Sequence, residues 1–78
     1  MYRLDVKSLI VALGGRSGLS MRLAKAGLKW VSRKGIDKWH ERQQIPGPRL
    51  IDLLVLARKS GQTIDVYDYI FDGKGKKA

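Results

Sequence analysis

Val31-Ser32-Arg33-Lys34-Gly35-Ile36-Asp37-Lys38-Trp39, followed by Arg42 and by Ile45-Pro46, is the stretch that decides how this chain is read. The Ser32 hydroxyl can accept from the free amides of a first helical turn, which makes it an N-cap. Ile36 and Trp39 give the helix that follows an inward apolar edge, and Val31 adds a third apolar group just before the cap. Arg33, Lys34, Asp37, Lys38, Glu41 and Arg42 occupy the polar positions, so the pattern predicts an amphipathic helix over about 32–42. Gly35 inside it costs about 1 kcal/mol relative to alanine. Close approach to another helix, or to the backbone of a ligand, would account for it.

Breakers divide the rest of the chain into segments of helical length. Asp5 can cap a first helix through Leu9, Ile10 and Leu13, which stops at Gly14-Gly15. Ser17 can cap a second, with Leu19, Leu23 and Ala26 as its apolar stripe and Gly27 as its end. Ile45-Pro46-Gly47-Pro48 is a stiff connector, and Pro48 suits the first turn of a fourth helix reaching about Ser60. That helix is almost wholly apolar from Leu50 to Ala57, which predicts a central place in the core. Thr63 can cap a short fifth helix ending at Tyr69 or Phe71. No strand signal competes, because Ile64 and Val66 alternate too briefly. The expected architecture is all-α, a bundle of about five short helices in one domain over 1–71. Residues 72–78 are expected to be a disordered basic tail.

Composition narrows the function. The 78 residues hold 44% hydrophobic residues, enough for one thin core. No cysteine is present, which excludes disulfides, thiolate chemistry and Cys-containing zinc sites. No apolar run approaches the roughly 18 residues that cross a bilayer, and the start of the chain lacks a signal-peptide layout; a cytoplasmic protein is expected. One histidine, His40, and scattered acids cannot assemble a nucleophile, base and orienting acid, so an enzyme is not expected. Nothing calls for a cofactor, a metal or a small-molecule ligand.

The net charge of +9 favours polyanionic partners. Residues 1–45 carry ten basic and three acidic side chains, whereas residues 46–71 carry three of each. A merely solubilising surface would spread its charge evenly; this distribution describes a binding face. A helix that reads duplex DNA needs an apolar inner side, long donors near its N-terminus and a first turn suited to phosphate. Ile36, Trp39 and Val31 meet the first need, Arg33 and Lys34 the second with Asp37 and Lys38 one turn on, and Ser32 the third. Arginine pairs with guanine O6 and N7 together, the commonest specific contact. Asp37 either offsets Lys34 and Lys38 locally or accepts from a cytosine amino group.

Gly14-Gly15, the Val-Ser-x-x-x-Ile-x-x-Trp block, Arg42 and Ile45-Pro46 together resemble the Cro/repressor helix-turn-helix family. The nearest variety is the YdaS-like phage and prophage regulators. The resemblance runs from about Leu9 to Gly61 and implies a lambda-repressor-like fold that binds DNA specifically. It implies base contacts from Arg33, Lys34, Asp37 and Lys38, and phosphate contacts from Arg16, Ser17 and Ser32. Lys29 and Arg42 are further candidates for phosphate. The family's turn glycine directly precedes its Val-Ser pair; here Gly27 lies four residues before Val31, so the turn is lengthened.

The expected function is therefore sequence-specific binding of double-stranded DNA by a transcriptional regulator, a repressor of phage or mobile-element type. An excisionase or other architectural DNA-binding protein is the alternative, and a protein-interaction module such as an antitoxin a second one. Trp39 is read as core, and Trp30 as packed beneath the lengthened turn, with partner contact as its alternative. Tyr67, Tyr69, Ile70 and Phe71 are too many large groups for one side of a short helix, so some are expected to form a homodimer contact. A symmetric dimer would place two recognition helices about 34 Å apart on a palindromic site.

Overall fold

The computed structural model describes residues 2–76; Met1, and Lys77 and Ala78 at the end of the expected tail, lie outside the described residues. In chain order the elements are β1 (Arg3–Leu4), α1 (Val6–Ala12), α2 (Gly15–Lys25), α3 (Arg33–Arg42), α4 (Gly47–Lys59), a single 3-10 turn (Val66–Tyr69) and β2 (Ile70–Phe71). The architecture is mostly helical, with four α-helices and one two-stranded sheet among the described residues. No helix among them is long and apolar enough to cross a membrane.

Two sequence expectations change here. The fifth helix is a 3-10 turn of four residues, capped by the Asp65 carboxylate, which accepts from the Tyr67 amide at 3.0 Å; Thr63 is not its cap. The chain then becomes extended, and Ile70 and Phe71 pair antiparallel with Leu4 and Arg3. The all-α description thus gives way to helices plus a small sheet. A strand of two residues has no periodicity to read, and its pairing spans nearly the whole chain. The residues expected to open a loose tail instead fold onto Asp72. Its Oδ1 accepts from the amides of Lys74 and Lys76, each at 2.8 Å.

The first helix starts as its sequence predicts. Asp5 accepts from the Ser8 amide at 3.1 Å and from the Ser8 hydroxyl at 2.7 Å. The second does not. Gly14 stands at its N-cap with φ 112°, so α2 begins at Gly15 and Ser17 lies inside the first turn, not at the cap. The positive φ at both Gly14 and Gly15 lets the chain reverse within two residues and start α2 early.

Val6, Leu9, Ile10 and Leu13 from the first helix and its end join Leu19 and Leu23 of α2, Val31, Ile36 and Trp39 at α3, and Leu53, Leu56 and Ala57 of α4. Each large aliphatic group so buried stabilises the fold by roughly 1.5–3 kcal/mol. The fourth helix is less central than its composition predicts. Only one side is buried, while Ile51 is 62% and Val55 39% exposed. In so small a domain α4 has core on one side only, whatever its residues.

Candidate nucleic-acid interface

The third helix forms for the local reasons its sequence supplies. Ser32 Oγ accepts from the Gly35 amide at 3.1 Å, and the backbone of Ser32 is extended, as an N-cap requires. That bond uses the hydroxyl as acceptor and leaves its proton for an outside acceptor such as a phosphate oxygen. Ile36 is fully buried and Trp39 nearly so, which fixes the rotation of α3 about its axis. Arg33, Lys34, Lys38 and Arg42 are consequently exposed. Gly35 is explained by contact with its own flank: a Cβ there would lie 2.7 Å from Val31 Cγ2. The close approach is to the apolar group ahead of the cap, not to another helix.

The segment 26–32 replaces the tight turn. Gly27, at φ 70°, ends α2, and the Leu28 amide reaches back to the Leu23 carbonyl at 3.0 Å. Ser20, buried within α2, donates its hydroxyl to the Val31 carbonyl at 2.8 Å. From the other side Arg49 of α4 donates to the carbonyls of Lys29 at 2.9 Å and Trp30 at 3.3 Å. A longer connection is thereby held at both of its faces. Val31 points into the core, and Trp30 before it points out, 59% exposed. Trp30 therefore does not pack beneath the turn as expected, because Val31 and Leu28 already fill that space. Its indole instead borders a shallow groove with Ser17, Met21, Ser32, Arg33 and Lys34.

Two contacts join the first turn of α2 to the outer side of α3. The Arg16 Nε donates to Asp37 Oδ1 at 2.7 Å, and Arg33 Nη1 approaches Ser17 Oγ at 3.5 Å. The Arg16 side chain is 58% exposed and that of Asp37 36%, so the pair contributes only about 0.2–1 kcal/mol of stability. Its consequence is positional. Pairing through Nε leaves the outer edge of the Arg16 guanidinium directed away from Asp37, toward solvent. Asp37 is thus balanced by Arg16 across the helices, and not by Lys34 or Lys38 along its own helix.

Arg16, Ser17, Ser32, Arg33, Lys34, Asp37 and Lys38 therefore lie along the paired first turns of α2 and α3. Arg42 sits at the far end of α3, about 13.5 Å along its axis from Arg33 at 1.5 Å per residue. Lys29 is exposed on the connecting segment. One cation that sequence reasoning missed is Arg3, which shares a groove with Lys38 and Arg42. No local signal could have found it, because the sheet delivers it. Ser20 and Arg49 were missed for a similar reason: nothing in their neighbours distinguishes a serine or arginine that bonds a distant carbonyl.

The residues expected at a dimer contact separate. Tyr67 is 66% exposed, whereas Tyr69 is half-buried against the core and Ile70 and Phe71 are half-buried in β2. Comparison with known proteins finds no matching family model, curated protein or solved structure.

Proposed function

We propose that this chain binds double-stranded DNA in the helix-turn-helix manner, α2 lying along the phosphate backbone and α3 entering the major groove. The reading is that of a sequence-specific regulator, a repressor resembling the Cro/repressor family. The observation that carries it is the meeting of Arg16 and Ser17 of α2 with Asp37 and Arg33 of α3 on the exposed side of an anchored helix. Cations from two helices there span a continuous strip, with long donors at the N-terminal turn of α3, where its dipole also favours anions. Arg33 and Lys34 read base edges, Lys38 extends that reach, and Ser17, Ser32, Lys29, Arg42 and Arg3 hold phosphates. Arg16, steadied by Asp37, works at the junction of the two sets.

In vitro selection from a random duplex pool supplies the cognate site. Replacing Arg33 and Lys34 with Ala should then remove discrimination between that site and random duplex, by about 1–3 kcal/mol for each base no longer read. Replacing Lys74, Lys76 and Lys77 with Ala should weaken both about equally and lower the salt slope by up to about 0.9 per phosphate neutralised. Equal loss of specific and random binding in the Arg33/Lys34 variant overturns the assignment of α3. Selection of repeated, non-palindromic sites would favour the architectural role of an excisionase, and failure to retain any duplex would favour a protein-interaction module.

A further inference from the structure

The outer face of α4 carries Ile51 and Val55, both substantially exposed and one helical turn apart. Its charges are arranged about Val55: Asp52 stands three residues before it and Arg58 three residues after. At 100° per residue, three residues either side of Val55 fall on opposite flanks of the same face. A two-fold axis through Val55, perpendicular to the helix, inverts both position along the helix and side. It therefore superposes Asp52 of one copy on the position of Arg58 in the other, and generates the same pair again in reverse. The same operation sets the aliphatic stem of Lys59 over Ile51, so the exposed isoleucine is covered without burying a charge.

We propose that a second copy of this chain docks here, as an antiparallel pair of α4 helices centred on Val55. The occupant follows from charge. A partner with net charge +9 is repelled by the α2–α3 strip, but over residues 46–71 the three basic and three acidic side chains balance. Asp52 is available for exchange, since its contact with Arg49 within the chain is long, at 3.9 Å. The patch is small beside the roughly 800 Å² per partner of a standard stable interface. The pair is accordingly weak in isolation and strengthened when both copies occupy neighbouring sites on one duplex. This surface differs from the Tyr67–Phe71 segment expected from sequence, most of which is occupied within the chain.

The chain's lack of cysteine makes the test direct. Val55→Cys, on the axis, would face itself across the pair. Under mild oxidation it should form disulfide-linked dimer about tenfold faster than Val11→Cys, whose site on α1 is also exposed, reflecting effective concentration at the pair. Asp52→Arg in the Val55→Cys background should slow linkage, and adding Arg58→Asp should restore it. Arg33→Ala with Lys34→Ala should leave linkage without DNA unchanged, which separates this proposal from the reading of α3. Linkage no faster than at Val11→Cys, or no rescue by the charge exchange, would overturn it. Fastest linkage at Tyr67→Cys would assign the interface to the C-terminal segment instead.

Discussion

Gly35 offers a substitution whose sign is decided by two opposed magnitudes. Alanine inside a helix is favoured over glycine by about 1 kcal/mol, so Gly35→Ala ought to stabilise α3. The new methyl, however, would stand 2.7 Å from Val31 Cγ2. Val31 cannot swing aside cheaply, because its branched Cβ restricts χ1 and its side chain belongs to the core. Forcing an extra carbon into such a site costs typically 1–3 kcal/mol. The clash should win, with net destabilisation of about 1 kcal/mol. For a domain of this size that lowers Tm by roughly 4–8 °C.

Denaturant titration followed by circular dichroism measures the single variant, and a double-mutant cycle isolates the cause. Val31→Ala destabilises by itself, since it removes two buried methyl groups, but it also removes the carbon that Gly35→Ala would meet. In that background the Gly35→Ala step should turn stabilising, and the coupling between the sites should be about 1.5–3 kcal/mol. A stabilising Gly35→Ala in the native background, or additive effects in the cycle, would refute the packing argument. The loss should also reach function, because the methyl pushes the first turn of α3 away from Val31 and carries Arg33 and Lys34 with it.

Asp37→Ala should act oppositely on two quantities: random duplex is bound more tightly because a negative charge leaves the strip, while the ratio of specific to random binding falls as Arg16 loses its support. Competition binding at two salt concentrations separates the effects, and folding stability should change by no more than about 1 kcal/mol. Gln43 ends α3 with φ 51°, a left-handed conformation that suits glycine, so Gln43→Gly should stabilise by about 0.5–1 kcal/mol as read by thermal unfolding. Ser20→Ala leaves the buried Val31 carbonyl without its 2.8 Å donor and should cost about 1–3 kcal/mol. Its DNA affinity should fall further than that of a surface Ser8→Ala variant with the same folded fraction.

What sequence made legible here is whatever is local. The Ser32 cap, the inward Ile36 and Trp39 and the exposed Arg33, Lys34 and Lys38 all follow from residues within one helix, and the structure has them so. The misreadings share a non-local cause. The spacing of Ser17 fits a cap, but the two preceding glycines fold early and take that position for Gly14. Leu50 to Ala57 reads as a central helix until the size of the domain leaves one side uncovered. Trp30 reads as buried by its type alone, whereas the alternation of extended chain ahead of Ser32 gives the inward place to Val31. Residues 70–71 depend on a partner at 3–4, and no window of sequence contains both.

The lengthened connection between α2 and α3 bears most directly on the proposed function, since the crossing of these helices determines which side chains share a face. A tight turn fixes that crossing by its own backbone geometry. A seven-residue segment, 26–32, cannot, and the constraint must come from bonds made to it. Ser20 reaches it from α2, Arg49 from α4, and Val31 fills the core beneath it. Those groups sit on different elements, so the segment is ordered only when the whole domain is folded. Arg16 and Asp37 then close the same geometry on the solvent side, at little cost in stability and within reach of a ligand. The length of the turn and the number of its ties are thus one design. It follows that Arg49→Ala, though distant from α3, should impair discrimination between duplexes more than it impairs overall affinity. Arg49 lies on none of the proposed contact positions, so an equal loss of both would mean that the crossing does not depend on these ties.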